Sequence, residues 1–298
     1  MATRGATALT ARTARSLLAP LDPSAGKEAR GRVLVVGGSL RYPGALLLAA
    51  RAALRCGAGV VTVGAATTVT TALAGRDPNV TFFPLAEASP GVVTPAAAAQ
   101  LAAFLRERIR AVLLGPGLAH ATGTDEFVGA VLRNARAVPT AIDADGLNAL
   151  ARTEDWPSLL PKPAVLTPHD GEAARLAGRV VPSAPQARVA FAERAAADWK
   201  CVVVLKGATT VVTDAKRTYV HDVPNVSLGV GGSGDALGGA VAAFLARGLA
   251  PLAASALAVW THGRAGALLA AEIGENGVLA SDLVDALPRA LRELVAER

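Results

Sequence analysis

The residues best suited to chemistry lie in segment 225–239, which reads NVSLGVGGSGDALGG. Its glycines permit backbone conformations that other residues avoid, and they precede a long Ala/Leu stretch of helical period. A helix that begins there offers free N–H groups and the positive end of its dipole, which together bind an anion such as phosphate. Because phosphate repels a carboxylate, Asp235 at the helix start is expected to act on a hydroxyl as a base, although a plain helix cap explains Asp235 alone equally well.

Lys206 and Asp143 each end an apolar predicted strand. Lys206 precedes Gly207, an arrangement that either aims an ammonium group at an anion or lets a strand-end lysine reach solvent. Asp143 and Asp145 together could hold Mg²⁺ through water, since Mg²⁺ usually takes one or two carboxylates plus phosphate. Alternatively, Asp145 only starts the next turn. The sequence leaves both alternatives open at these positions.

Segment 166–172, which reads LTPHDGE, follows another predicted strand. His169 is a candidate base or substrate contact, although a lone histidine in a loop is more often only hydrogen-bonded locally. Glu172 could equally do no more than cap and start its own helix. The other histidines, His120, His221 and His262, share no metal-ligand spacing and are assigned no role.

Three well-known motifs are excluded. Segment 229–234 matches G-x-G-x-x-G, but no acidic residue lies between Asp235 and Glu272, so the ribose-binding carboxylate expected about 20 residues on is missing. No P-loop sequence occurs. Ser233 lacks the second flanking glycine of a G-x-S-x-G nucleophile elbow, and we interpret it as a loop residue.

These residues must be positioned by short β-branched runs that alternate with long Ala/Leu stretches, a pattern typical of parallel strands joined by crossover helices. Strands are predicted at 32–36, 60–63, 80–83, 111–114, 140–143, 164–166 and 201–205, with 210–213 and 218–220 as a hairpin-like pair. Helices are predicted at 45–56, 95–107, 125–134, 171–177, 185–199, 235–247, 251–271 and 282–296, the last with Ser281 as N-cap. Ligands bind at the carboxyl ends of such strands, where the segments above lie.

Composition and charge narrow the function classes. A chain of 298 residues with 52% hydrophobic residues can bury a large core, which excludes a disordered protein. The net charge of +6 comes from scattered arginines without a basic run, so no nucleic-acid partner is predicted. The apolar run 248–260 falls short of the roughly 20 residues that a membrane span needs, so no membrane partner is predicted. Cys56 and Cys201 are expected to be buried reduced thiols, which fits a cytoplasmic protein.

The absence of a Pro/Ser-rich linker predicts one domain over residues 27–298, after a leader of residues 1–26 with a short docking helix around 11–18. The leader carries Arg4, Arg12 and Arg15 and no acidic residue before Asp22, as an organellar transit peptide would. The docking helix is favoured because the same Ala/Arg richness persists through the chain.

Taken jointly, the ordered motifs at the predicted strand exits resemble the ADP/ATP-dependent NAD(P)H-hydrate dehydratase family, a branch of the ribokinase-like superfamily. The resemblance covers about residues 27–290 and is carried by GRVLVVGGSLRYPGALLLAARAALRCGAGVVTV, LLGPGL, IDADGLNAL, LTPHDGE, VVLKGATTVV, GGSGDALGG and GVLASDLVDALPRAL. It implies a ribokinase-like α/β sandwich of three layers, with a mostly parallel central sheet covered by helices on both faces.

The resemblance also implies an activity and its residues. ADP or ATP would phosphorylate the hydroxyl of (6S)-NAD(P)H hydrate, and loss of phosphate would then regenerate NAD(P)H. Asp235 would be the catalytic base and would also bind the substrate, together with Ala45, Gly117 and His169. The nucleotide would be bound by Lys206, Gly207, Ala208, Thr209, Thr210, Gly232 and Gly234. Glu172 would help to organise Mg²⁺ through water, the protein would be a homo-oligomer such as a tetramer, and a partner epimerase would be a separate chain.

Several positions depart from the family pattern. Ser233 stands where Thr or Met is usual, Gly238 replaces a Thr, Asp170 replaces the Pro of PHPGE, and Ala119 replaces the Gly after GPGL. Because none of these is the proposed base, the chemistry is expected to be retained. Two alternatives stay open: a ribokinase-like vitamin kinase acting on hydroxymethylpyrimidine or hydroxyethylthiazole, and an inactive nucleotide-binding protein.

Overall fold

A ten-stranded sheet forms the centre of the computed structural model, which describes residues 5–18, 26–107 and 109–296. The strands are β1 (Ala6–Ala8), β2 (Arg32–Val36), β3 (Val60–Ala66), β4 (Val80–Leu85), β5 (Glu87–Ser89), β6 (Val92–Val93), β7 (Ala111–Leu114), β8 (Thr140–Ile142), β9 (Ala164–Leu166), β10 (Val202–Leu205), β11 (Thr210–Thr213) and β12 (Thr218–His221). Their order in the sheet is β1-β12-β11-β10-β9-β8-β7-β2-β3-β4, and β5 pairs with β6 separately. Neighbours from β4 to β10 run parallel, whereas β10, β11 and β12 are antiparallel as the predicted hairpin requires.

The helices flank this sheet in two groups. They are α1 (Ala11–Leu17), α2 (Gly44–Arg55), α3 (Thr67–Leu73), α4 (Ala98–Glu107), α5 (Thr124–Asn134), α6 (Asp145–Ala151), α7 (Asp170–Ala177), α8 (Pro185–Trp199), α9 (Ser233–Ala246), α10 (Pro251–Ile273) and α11 (Ala280–Ala296). In one group α2, α9, α10 and α11 contact one another, and in the other α4 to α7 contact each other in succession. The predicted α/β sandwich with a mostly parallel sheet is confirmed.

The central strands explain why the sheet is covered. Strands β7 and β10 read AVLL and VVVL, and every residue of both is buried. Side chains that alternate between the two faces are therefore apolar on each face, which requires helices on both sides. Helix α9 lies against β2, β7 and β8, and it approaches α2 so closely that a Cβ atom at Gly239 would lie 2.1 Å from the carbonyl oxygen of Ala49. This close packing fixes the start of α9 over the sheet.

Several element predictions need correction. Strand β1, the β5–β6 pair and helices α3 and α6 were not predicted, because these elements are short or, in α3, rich in threonine. Helix α11 begins at Ala280, so Ser281 is not its N-cap; the carboxylate of Asp282 instead accepts the N–H of Leu279 at 2.9 Å. Ser233 is the first residue of α9 rather than a loop residue.

The N-terminal part carries the short helix expected around 11–18. Helix α1 is capped by the hydroxyl of Thr10 and packs against α10 and α11. Residues 1–4 and 19–25 of the predicted leader lie outside the described residues, and the division into leader and domain stays a prediction. Cys56 and Cys201 are free and buried, as predicted, and burial raises the pKa of both thiols. No helix in the described part of the chain is long and apolar enough to span a membrane.

Candidate active site

A cavity of about 750 Å³ opens where the carboxyl ends of β8, β9 and β10 meet the N-terminus of α9. Asp143 follows β8, His169 follows β9, Lys206 follows β10, and all three line the cavity together with Asp235 of α9. The volume is within the range of roughly 300–1,000 Å³ that is typical of small-molecule sites. The chemistry-bearing segments are therefore brought to one place by the parallel sheet.

The start of α9 is built to receive an anion. Its N-cap, Gly232, has φ 91°, a left-handed conformation that glycine adopts without strain, and no side chain caps the helix. Within the described residues, the N–H groups of Gly234 and Asp235 have no backbone acceptor. Free N–H groups at the positive end of a helix dipole attract phosphate oxygens. Lys206 adds a positive charge beside these N–H groups, because its Nζ would lie only 3.4 Å from a Cβ atom placed on Gly234.

The Asp235 carboxylate faces the cavity. It makes no hydrogen bond or ion pair in the described structure, so it does not cap its own helix, although an acidic residue in the first turn still favours the helix dipole. Burial and, to a smaller extent, the nearby Asp143 raise the pKa of Asp235 to about 7, although Lys206 lowers it. A carboxyl group with a pKa near neutrality can take up a proton at physiological pH.

Lys206 lies in a cluster of carboxylates. Its Nζ is 2.7 Å from Oδ1 of the buried Asp143 and 3.9 Å from Oε2 of Glu172. Burial alone lowers the pKa of Lys206, but the carboxylates of Asp143 and Glu172 outweigh it, so the pKa is raised overall. The ammonium group therefore stays protonated beside the cavity.

His169 and Glu172 form a capping box at the start of α7. Nδ1 of His169 accepts the N–H of Gly171 at 3.0 Å, and Oε2 of Glu172 accepts the N–H of His169 at 2.9 Å. The structural interpretation of both residues is thus correct, yet both also line the cavity. Burial, Lys206 and Arg175 lower the pKa of His169, which keeps its ring neutral. Burial raises the pKa of Glu172 to about 7, against the effect of Lys206.

Comparison with known proteins agrees with this arrangement. The family model described as NAD(P)H-hydrate dehydratase matches residues 33–289. The chain belongs to the NAD(P)H-hydrate dehydratase family.

Its relatives within the NAD(P)H-hydrate dehydratase family differ in length. The bifunctional NAD(P)H-hydrate repair enzyme Nnr of Moorella thermoacetica is 38% identical over 97% of this chain, and the match spans 54% of that protein. The chain thus spans about half the length of the bifunctional relatives it matches. The ADP-dependent (S)-NAD(P)H-hydrate dehydratase of Xanthomonas campestris is 37% identical over 95% of this chain and 96% of its own length. The Bacillus subtilis ADP/ATP-dependent NAD(P)H-hydrate dehydratase, crystallised with ATP and Mg²⁺, superposes with a TM-score of 0.82 at 31% identity, covering 98% of this chain and 100% of that one.

The cavity of this dehydratase-family chain gathers most of the predicted site residues. Those that line it are His169, Glu172, Lys206, Gly207, Ala208, Thr210, Gly232, Gly234 and Asp235. Thr209 is turned away, and its hydroxyl donates to Asp222 at 2.6 Å. Ala45 and Gly117 lie next to each other but outside this lining, since a Cβ atom at Gly117 would be 3.0 Å from that of Ala45. Their substrate contacts stay predictions.

The Asp143–Asp145 pair does not point into one site. Asp143 is held by Lys206, whereas Asp145 opens α6 and accepts the N–H of Ala119 at 2.8 Å. The turn-starting interpretation of Asp145 therefore describes the structure. Ala119, where the dehydratase family usually has Gly, keeps a left-handed conformation with φ 59°, so the loop retains the shape that glycine would favour.

Two histidines without an assigned role also line the cavity of this dehydratase-family protein: His221 and His262. Nε2 of His262 lies 3.0 Å from the carbonyl oxygen of Ser233 and 3.1 Å from its hydroxyl. Because a carbonyl only accepts, Nε2 must carry the proton, and burial lowers the pKa of His262 to about 4, which keeps the ring neutral. His262 thus anchors the first residue of α9. No spacing in the sequence indicates this contact, since it joins residues of two different helices.

Proposed function

We propose that this protein catalyses the ADP- or ATP-dependent dehydration of (6S)-NAD(P)H hydrate to NAD(P)H, and so repairs hydrated nicotinamide cofactors. The observation that carries the proposal is the Asp235 carboxyl group, which makes no hydrogen bond or ion pair with the described residues and faces a cavity shared with Lys206. Its pKa of about 7 suits a base that takes a proton and later releases it. Membership of the dehydratase family supports the choice of substrate.

The reaction is proposed in two steps. The hydroxyl oxygen of the hydrate attacks the terminal phosphorus of the nucleotide, its proton passes to Asp235, and the shortened nucleotide leaves, which is AMP when ADP is the donor. The carbon–oxygen bond then breaks, phosphate departs with the bonding electrons, and a proton is lost from the neighbouring ring carbon as the double bond forms. Lys206 and the N–H groups at the start of α9 stabilise the negative charge on the transferred phosphoryl group.

Mg²⁺ is proposed to accompany the nucleotide. No group of three or more His, Cys, Asp or Glu side chains among the described residues is arranged to hold a metal ion by itself. A nucleotide-bound Mg²⁺ needs only one or two carboxylates, and Glu172 lines the cavity with its Oε2 already accepting the N–H of His169. Contact through water is therefore the role that suits Glu172, and the ion would neutralise phosphate charge when bound.

The test is recovery of absorbance in the reduced-nicotinamide band when enzymatically hydrated NADH is incubated with the protein, Mg²⁺ and ADP or ATP. We expect recovery that requires the nucleotide. Activity only on thiamine precursors, with release of a stable phosphorylated product, would favour the vitamin kinase instead. Nucleotide binding with neither activity would favour the inactive nucleotide-binding protein.

The proposal extends to the compartment and the oligomeric state of the protein. The free, buried thiols of Cys56 and Cys201 support a reducing compartment such as the cytoplasm. The family resemblance favours a homo-oligomer such as a tetramer, which light scattering of the purified protein tests. The separate epimerase chain expected from the sequence stays a prediction.

A further inference from the structure

Arg188 lies behind the loop that connects β10 to β11. It belongs to α8, its side chain is 5% exposed, and it is not part of the cavity lining. Its guanidinium group reaches two backbone carbonyls of the loop: Nη2 donates to Lys206 at 2.5 Å, and Nε donates to Thr209 at 2.9 Å. One side chain therefore binds both ends of segment 206–209 from the side away from the cavity.

The guanidinium group also shapes the middle of the loop. A Cβ atom at Gly207 would lie 2.5 Å from Nη2 and 3.1 Å from Cζ of Arg188, so the loop backbone lies directly against the guanidinium group. Such a contact leaves no room for a side chain at position 207. The close approach of Arg188 thus accounts for glycine at position 207, and Gly207 also lines the cavity.

A third contact ties Arg188 to α7. Its Nη1 is 2.7 Å from Oδ1 of Asp170, the residue after His169. Position 170, which departs from the Pro of the family pattern, therefore supplies an ion-pair partner in this chain. The guanidinium group joins the loop that bears Lys206 to the helix start that bears His169 and Glu172.

The carbonyl contacts have an electrostatic consequence for an anion. Carbonyl oxygens that faced the cavity would repel a phosphate group, whereas oxygens that accept from Arg188 are held on the opposite side of the loop. A planar guanidinium group can serve three acceptors in fixed directions, which an ammonium group on a flexible stem does less well. Arginine is therefore the residue type that this position requires.

We propose that Arg188 is a positioning residue that holds loop 206–209 in the shape that binds the nucleotide. The inference rests on the proposed function, because it assumes that ADP or ATP occupies this cavity. Arg188 itself touches neither the cavity nor the reacting atoms. Its effect should fall on nucleotide affinity and much less on the affinity for the hydrated cofactor.

The experiment compares Arg188→Ala and Arg188→Lys with wild type in calorimetric titrations with ADP, and compares KM for ADP, KM for the hydrate, and kcat. Arg194→Ala on the same helix is the matched control, since Arg194 is 69% exposed and lies 3.7 Å from Asp198. We expect Arg188→Ala to weaken ADP binding by about tenfold or more, which corresponds to one charge-assisted hydrogen bond. Arg188→Lys should fall between wild type and Arg188→Ala, and KM for the hydrate should stay within about twofold of wild type in both.

Two further observations separate positioning from general stabilisation. Added methylguanidinium should restore ADP affinity to Arg188→Ala, whereas a loss of stability alone would not be repaired this way. If Arg188→Ala does not fold, Arg188→Lys, which keeps charge and approximate length, decides the matter. Equal ADP affinity in wild type and a folded Arg188 variant overturns this inference alone. Failure of wild type to bind ADP overturns the proposed function as well.

Discussion

Replacement of Asp235 by Asn should remove turnover and yet stabilise the fold. The substitution keeps the size of the side chain but removes its ability to take the proton of the attacking hydroxyl. A positioned general base contributes about 10²–10⁴-fold to rate, so kcat should fall by at least about 100-fold. ADP affinity should be unchanged or higher, because the carboxylate that repels phosphate is gone.

The stability gain follows from the raised pKa. The carboxyl group of Asp235 has a pKa of about 7 in the folded protein against 3.8 as a free group, because burial and Asp143 disfavour its charged form. Between these two values the folded state binds more protons than the unfolded state, so stability falls as pH rises through this window. Above it the folded protein carries the full penalty, on the order of 4 kcal/mol. Because the Asn amide must also be buried, we expect a net gain of about 2 kcal/mol at a pH of about 8.

The assays are a pH–rate profile and urea unfolding. Wild-type kcat should fall about tenfold per pH unit on the acid side of about pH 7, as the base becomes protonated. The stability gain of the variant should shrink as pH falls, and below the unfolded pKa the variant should be about 2 kcal/mol less stable than wild type, because only the cost of burying the Asn amide remains there. Asp198→Asn is the control, since Asp198 is 60% exposed. Turnover by Asp235→Asn close to that of wild type would refute the base assignment, and a variant less stable than wild type at alkaline pH would refute the electrostatic reasoning.

Three other substitutions test neighbouring parts of the structure. Lys206→Met should raise the pKa of Asp235, because Lys206 lowers it, and so move the acid limb of the pH–rate profile to higher pH while ADP binding weakens. Gly207→Ala should weaken ADP binding, since its Cβ would lie 2.5 Å from Nη2 of Arg188, and calorimetry measures the loss. Ser255→Ala should stabilise the fold by about 1–2 kcal/mol in urea unfolding, because the Ser255 hydroxyl is the one buried side-chain polar atom without a partner in the described structure.

Each of these substitutions has a control or a contrary outcome. Lys200→Met removes an exposed lysine at the end of α8 and should leave the profile in place. Gly277→Ala adds a methyl group where its nearest neighbour would be 3.7 Å away, and ADP affinity should not change. An acid limb that stays fixed in Lys206→Met would contradict the coupling to Asp235. A Ser255→Ala protein no more stable than wild type would mean that the hydroxyl is satisfied.

The sequence alone was sufficient to predict the strands and helices whose pattern lies within a few consecutive residues. The strands at 32–36, 111–114 and 164–166 and the helix at 185–199 have the predicted bounds, because continuous apolar runs and long helical periods are legible without tertiary context. Helix α6, with seven residues that read DGLNALA, gives too weak a periodic signal. The glycine-rich start of α9 was likewise readable, since a left-handed Gly232 and free N–H groups are properties of a few consecutive residues.

What the sequence by itself determined is the set of segments at the strand ends and the order in which a parallel sheet presents them. Only the tertiary structure decided the distances between the ionisable side chains of the site, the pKa of Asp235 and the contacts of Arg188. Asp143 and Lys206 lie 63 residues apart in the chain and 2.7 Å apart in space, and their fields act on Asp235. Arg188 supports loop 206–209 through backbone carbonyls, which carry no residue-type signal. The physical reason is that burial and Coulomb interactions depend on distances in the folded chain, which sequence spacing does not specify.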